Sequence, residues 1–157
     1  MDATYIIFVA FGIGVVAGLR ALLAPAAVAW AAHLGWLRLL GWPVAFMTST
    51  WAVLLFSALA LFELIGDLLP NTPKRTDPAP LAARFISGGL CGACVCASAN
   101  HSLLMGTALG GIGAVIGAFA GYEFRRRLVT ASNVKDIFIA LPEDLIAIRL
   151  ALFFVTR

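Results

Sequence analysis

FISGGLCGACVCASANHSLLMGTALGGIGAVIGAFAGY, the stretch from Phe85 to Tyr122, runs for 38 residues without Asp, Glu, Lys or Arg. A helix rises about 1.5 Å per residue, so an unbroken helix here would measure about 57 Å, nearly twice the ~30 Å hydrocarbon core of a bilayer. The run has to fold back on itself. Ser98-Ala99-Asn100-His101-Ser102 is the one plausible turn within it, which sets one span from about Pro80 to Ala99 and the next from Leu103 to Phe124.

Composition agrees with that reading. Of 157 residues, 62% are hydrophobic and 12% charged, and mean hydropathy is +0.98; soluble domains carry roughly 25% charged residues. Eleven Lys plus Arg and eight Asp plus Glu are too few to cover a water-facing surface, whereas lipid asks for none, so a soluble domain is excluded. The net charge of +3 comes from short basic clusters between apolar runs. Such clusters set membrane orientation rather than bind nucleic acid.

Outward toward the N-terminus, Pro70 to Pro80 forms the one clear polar loop, and a span precedes it from about Thr50 to Leu69. Before that, Ala3 to Leu19 and Ala21 to Ala32 are apolar on either side of Arg20. Read as one helix, Tyr5 to Ala32 would be about 42 Å long, too long for an untilted span. It must tilt, break or re-enter between Gly18 and Pro25, since Pro25 lacks an amide donor and clashes with the carbonyl four residues earlier. Trp30, Trp36 and Trp42 surround an interfacial segment from His33 to Pro43. Met1-Asp2-Ala3-Thr4 is acidic and leads into an apolar run with no evident cleavage site, so it reads as the start of a retained helix. Toward the C-terminus a last span covers Lys135 to Val155, with Pro142 inside it. The expected fold is an all-α, polytopic membrane bundle of about five transmembrane helices in one domain over residues 1–157, its first segment broken or re-entrant near Gly18 to Pro25.

Lys74, Arg75 and Arg84 flank one connection, and Arg125, Arg126, Arg127 and Lys135 another, while the remaining connections hold only Arg38. The positive-inside rule places the two basic connections in the cytoplasm. Five full spans would leave the N-terminus cytoplasmic and the C-terminus outside; a re-entrant first segment moves the N-terminus across.

Gly106, Gly110, Gly113, Gly117 and Gly121 recur every three or four residues, and Gly88, Gly89 and Gly92 form a shorter patch. Small residues at this spacing let backbones approach closely. The two glycine-bearing helices are expected to pack on each other or on a second copy, which implies a homo-oligomer.

Charges inside apolar spans are costly, on the order of 2.5 to 3.5 kcal/mol at the centre, and face a partner, a cavity or an ion. Glu63 and Asp67 share a helix face four residues apart. Glu143 and Asp144 repeat the theme in the last span, Glu123 closes the one before, and Arg20, Arg84 and Arg149 are the available counter-charges. Two readings stay open: interhelical ion pairs (Arg20 or Arg84 with Glu63 or Asp67, and Arg149 with Asp144), or a polar cavity between the broken first helix and the second and fifth spans. Such a cavity, built as transporters build theirs from broken helices, would hold a proton, a cation or a polar solute.

Cys91, Cys94 and Cys96 lie within a span without a second cysteine pair, and His33 and His101 are in loops; they read as small packing residues, with no metal or other cofactor implied. No phosphate-binding glycine loop, zinc-protease motif or nucleophile elbow occurs, so an enzyme is not expected.

Taken together, Gly18-Leu19-Arg20 with Ala24 to Trp36, Glu63-Leu64-Ile65-Gly66-Asp67 with Leu68 to Thr76, Ala83-Arg84 with Gly88, Gly117 to Glu123, and Leu141 to Ile148 resemble the bacterial membrane proteins catalogued as domain of unknown function 4126. The most specific piece is the pattern Glu63, Asp67, Pro70, Pro73, Arg75, Thr76. The chain departs from the family at Leu68, where members often carry Lys, and at Pro142, usually aliphatic. The resemblance implies one integral membrane domain and brings no activity. From the charges, the expected function is transport or channel-like, in a bacterial inner membrane, with Glu63, Asp67 and Asp144 binding a proton or cation and Arg20 and Arg84 as counter-charges. The alternative is a membrane scaffold or partner subunit held together by those pairs.

Overall fold

The computed structural model describes residues 3–39, 43–66, 76–132 and 137–156. Every regular element among them is helical: α1 (Ala3–Leu19), α2 (Leu23–His33), a 3-10 turn (Val44–Thr48), α3 (Thr50–Gly66), α4 (Pro78–Ser98), α5 (Leu103–Ser132) and α6 (Ile137–Val155). The five apolar segments expected from sequence appear as six helices because the first is divided at Arg20, Ala21 and Leu22. Pro25 does not itself make the break. It falls in the first turn of α2, where an amide has no intrahelical acceptor, and the chain bends three residues before that helix begins.

The expected turn at Ser98 to Ser102 closes α4 in a tight form. Asn100 adopts the left-handed conformation, φ 57°, while the His101 amide donates to the Cys96 carbonyl (2.8 Å) and the Asn100 amide to that of Ala97 (3.1 Å). These two bonds satisfy carbonyls that a helix end leaves open. The same device ends α2: Gly35 has φ 79°, and the Trp36 amide reaches the Ala31 carbonyl at 2.9 Å.

Helix direction alternates. One cavity is lined jointly by Tyr5, Trp36, Asn100 and Thr156, so the start of α1, the segment after α2, the α4–α5 turn and the end of α6 meet at one end of the bundle. Glu63 meets Ala21 and Leu22 while Trp30 donates to Ser57, which makes α2 and α3 antiparallel. The first segment is therefore a hairpin: α1 crosses toward the far end, and the 11-residue α2 returns over about 16 Å. Tyr5 and Thr156 lie at the same end, as the re-entrant alternative requires.

Of the expected spans, α4 and the Leu103–Arg127 part of α5 are long and apolar enough to cross a membrane. At 17 residues, α1 and α3 are apolar but only about 25 Å long. Charge near the α5 end does not stop the helix at Phe124; it continues to Ser132.

Small residues bring α1, α4 and α5 together. Gly88 and Gly92 of α4 meet Gly110 and Gly106 of α5 backbone to backbone, and Gly14 and Gly18 of α1 meet Gly110, Ala114 and Gly117. Cys91, Cys94 and Cys96 are buried free thiols in the same core, where they pack as small apolar side chains. These glycine faces of α4 and α5 are thus filled against each other and against α1, the first of the two arrangements the spacing allowed. α6 packs far more sparsely, mainly on α1 and α2.

A Cβ placed on Gly92 or Gly110 would overlap the facing backbone carbonyl, whereas one on Gly66 would meet nothing. Gly110→Ala is expected to lower stability by about 1–3 kcal/mol, the usual cost of overpacking. Gly66→Ala is expected to be neutral or stabilising by up to about 1 kcal/mol. Denaturation of the two purified variants in detergent measures both.

Candidate functional site

Three polar or charged side chains are buried among the described residues: Arg20, Arg84 and Ser87. All three bond at the α1–α2 break. Interrupting a helix frees backbone groups, and in an apolar interior each of them must find another partner.

The break can be followed bond by bond. The Arg20 amide still donates to the Val16 carbonyl (2.8 Å) as the last bond of the α1 ladder. The next two amides turn away to α3, where Ala21 donates to Glu63 Oε1 (2.7 Å) and Leu22 to Glu63 Oε2 (2.9 Å). In a continuous helix Leu22 would have served the Gly18 carbonyl. That carbonyl instead accepts from Arg84 Nε at 3.0 Å. Pro25 would have served Ala21 but has no amide hydrogen, and the Ala21 carbonyl accepts the Ser87 hydroxyl instead. Arg84 and Ser87 are three residues apart on α4, so one helix face supplies both donors.

Electrostatics follow the same geometry. The negative end of α1 meets the Arg84 guanidinium, and the positive end of α2 meets the Glu63 carboxylate, each the favoured sign. Arg20, 1% exposed and the largest fully buried side chain among the described residues, turns its guanidinium to α6. Its Nε donates to Asp144 Oδ1 at 2.7 Å and a terminal nitrogen donates to the same oxygen. Among the described residues no buried side-chain nitrogen or oxygen lacks a partner. Ser87 lies 11 residues from the end of α4 at Ser98, about 16 Å along the helix axis, which places the break at mid-span.

Four of the five residues expected at the site, Arg20, Glu63, Arg84 and Asp144, are thus brought together. Asp67 lies outside the described residues, as does the Asn71 to Arg75 part of the polar loop. The pairing differs from the expectation in two places. Asp144 pairs with Arg20, which faces it from the break, and Arg149 is exposed. Glu63 binds amides rather than a guanidinium, because α3 passes the start of α2 where two donors converge. Glu123 pairs along its own helix with Arg126 and Arg127, on the exposed surface. The expected polar cavity also takes another form. A cavity of about 320 Å³ does lie between α2, α3 and α6, but its wall is largely apolar, with Trp30, Trp36 and Ser57 among aliphatic side chains, and includes none of the four charged residues. Ser87 was not foreseen from sequence; its place one turn after Arg84 was the available signal.

No cluster of three or more His, Cys, Asp or Glu suited to a metal occurs among the described residues.

Two expectations follow. Glu63→Leu leaves the Ala21 and Leu22 amides without acceptors and is expected to cost about 1–3 kcal/mol for each, with Glu63→Gln, which keeps one acceptor, costing less. Asp144→Leu alone breaks the buried Arg20–Asp144 pair and is expected to lose about 3–5 kcal/mol, while Arg20→Met with Asp144→Leu recovers most of it. Equilibrium unfolding across the double-mutant cycle reads the coupling directly.

No curated protein and no solved structure matches the chain. The family model described as Domain of unknown function (DUF4126) matches residues 7–156, a range that includes every residue bonded at the break. The chain belongs to this family.

Proposed function

We propose that the chain is a multi-pass protein of a bacterial inner membrane, of transport or channel-like class, moving a proton, a cation or a small polar solute. The membrane reading is supported by what the bundle leaves outside. Trp51 is 81% exposed, Leu104 79%, Phe62 71% and Ile86 69%, an apolar exterior that lipid accepts and water does not. Arg125 to Arg127 lie at the end opposite Tyr5 and Thr156, and the positive-inside rule supports a cytoplasmic location for that end, with Tyr5 and Thr156 outside. Self-association, with the glycine faces already filled, uses other faces of the bundle.

The observation that carries the transport reading is the Arg20–Asp144 pair. It joins a broken helix at mid-span to α6, a helix packed sparsely on its neighbours. A proton arriving on Asp144 breaks its ion pair with a buried guanidinium, and breaking a buried pair is unfavourable by several kcal/mol. Arg20 and α6 then have to rearrange together. Occupancy of a carboxylate and helix position become one equilibrium, which is what coupled transport needs.

A second reading has its own support. Glu63, Arg84 and Ser87 bond to backbone groups that any broken helix must satisfy, as they would in a scaffold or partner subunit. Proton and cation flux in proteoliposomes separates the two. Under the transport reading, the wild type conducts and Asp144→Asn loses at least tenfold of that flux while still eluting as a folded species. An inactive wild type, together with stability restored by swapping the charges at positions 20 and 144, establishes the scaffold instead.

A further inference from the structure

Far from the break, at the end where Tyr5 and Thr156 meet, a cavity of about 590 Å³ opens beside Trp36. Its inner wall is apolar, with Ile6, Val9 and Phe154, and its mouth carries Tyr5, Arg38, Ser98, Asn100 and Thr156. The hydroxyl hydrogens of Ser98 and Thr156 are already given to carbonyls of their own helices, Val95 at 2.7 Å and Leu152 at 2.8 Å. The donors that face a ligand are therefore the Arg38 guanidinium, the Tyr5 hydroxyl and the Asn100 amide. No acidic side chain is among the described lining residues.

The apolar cavity between α2, α3 and α6 adjoins this one. Trp36 and Val155 belong to the walls of both. Ala26, Ala27, Leu64, Ile148 and Leu152 line the second cavity, and the indole of Trp30 and the hydroxyl of Ser57 in its wall bond to each other at 3.0 Å. A compartment with Arg38 as the one cation among its described lining residues thus abuts a largely apolar one, with Trp36 and Val155 shared between them. Neither compartment touches the charged break.

We infer that the two cavities together form a binding site for a single-chain anionic amphiphile taken from the outer leaflet. The head lies against Arg38, Tyr5 and Asn100, where the planar guanidinium suits a carboxylate or phosphate monoester. The acyl chain passes Trp36 and lies among the alanines and leucines of α2, α3 and α6, where it is shielded from water. Trp36, 53% exposed, stands at the entrance, in keeping with the interfacial preference of tryptophan. The inference rests on the proposed function for the bilayer and for the orientation that places Tyr5 and Thr156 outside.

The test uses the full chain in nanodiscs of zwitterionic phospholipid, with incorporation confirmed before binding is measured. Failure to incorporate would overturn the membrane reading itself and is seen separately. Radiolabelled dodecyl phosphate and laurate are titrated against dodecyltrimethylammonium as the cationic control. Saturable binding of the anionic probes is expected, at least tenfold tighter than that of the cation, with the stronger of the two identifying the head. Arg38→Gln, at an exposed position outside the break, is expected to weaken binding at least tenfold with proton and cation flux unchanged. Ala27→Phe, which fills the apolar cavity, is expected to abolish chain binding without altering the Arg38 region. Non-saturable partitioning of all three probes, or unchanged affinity in Arg38→Gln, would overturn the proposal.

Discussion

Backbone polar groups inside an apolar bundle must be bonded, and at one place in this chain the helix cannot bond them itself. The α1–α2 break exposes two amides and at least two carbonyls at mid-span. Each of those four finds a side chain: Glu63 for the amides of Ala21 and Leu22, Arg84 for the carbonyl of Gly18, Ser87 for that of Ala21. The requirement explains why a predominantly hydrophobic chain places its buried polar side chains at a single location. It also determines which helices can surround the hairpin, since α3 must bring a carboxylate and α4 two donors to the same few residues.

The bundle has two parts of different character. In α1, α4 and α5, glycine against glycine and alanine brings backbones together, and packing is governed by shape. Around α2, α3 and α6 a cavity remains between the helices, and a buried ion pair ties α6 to the break. A tightly packed unit beside a looser one joined through a charge is an arrangement in which a local change in protonation has somewhere to act. Packed interfaces respond to such changes by switching between discrete arrangements, because close packing leaves little continuous freedom.

Polarity along the bundle axis has a second use. One end carries Arg125 to Arg127, where Glu123 pairs with two of the three; the other holds Arg38 beside a cavity with aromatic and amide walls. The charged break, the basic end and the amphipathic cavity are three separate chemical environments. They share helices rather than residues.

Much of this was legible in the sequence because the relevant signals are local or periodic. Charge-free length dictated that Phe85 to Tyr122 fold back, and the Asn100 turn is where a left-handed residue closes α4. Glycines every three or four residues specified close helix packing, and Arg20 followed by Pro25 marked an interrupted helix. Partner choice is a different kind of information. That Asp144 rather than Glu63 meets Arg20, that Glu63 caps a helix it does not belong to, and that Ser87 replaces the missing amide of Pro25 all depend on which faces of distant helices are turned together. Likewise, the glycine stripe read from sequence fits another copy as well as it fits α1 and α4. Sequence alone determined that backbone groups at the break and charges within the spans needed partners; only the tertiary structure decided which partners, because a hydrogen bond requires atoms within about 3 Å and residues 41 to 124 positions apart reach that distance only when the bundle has formed.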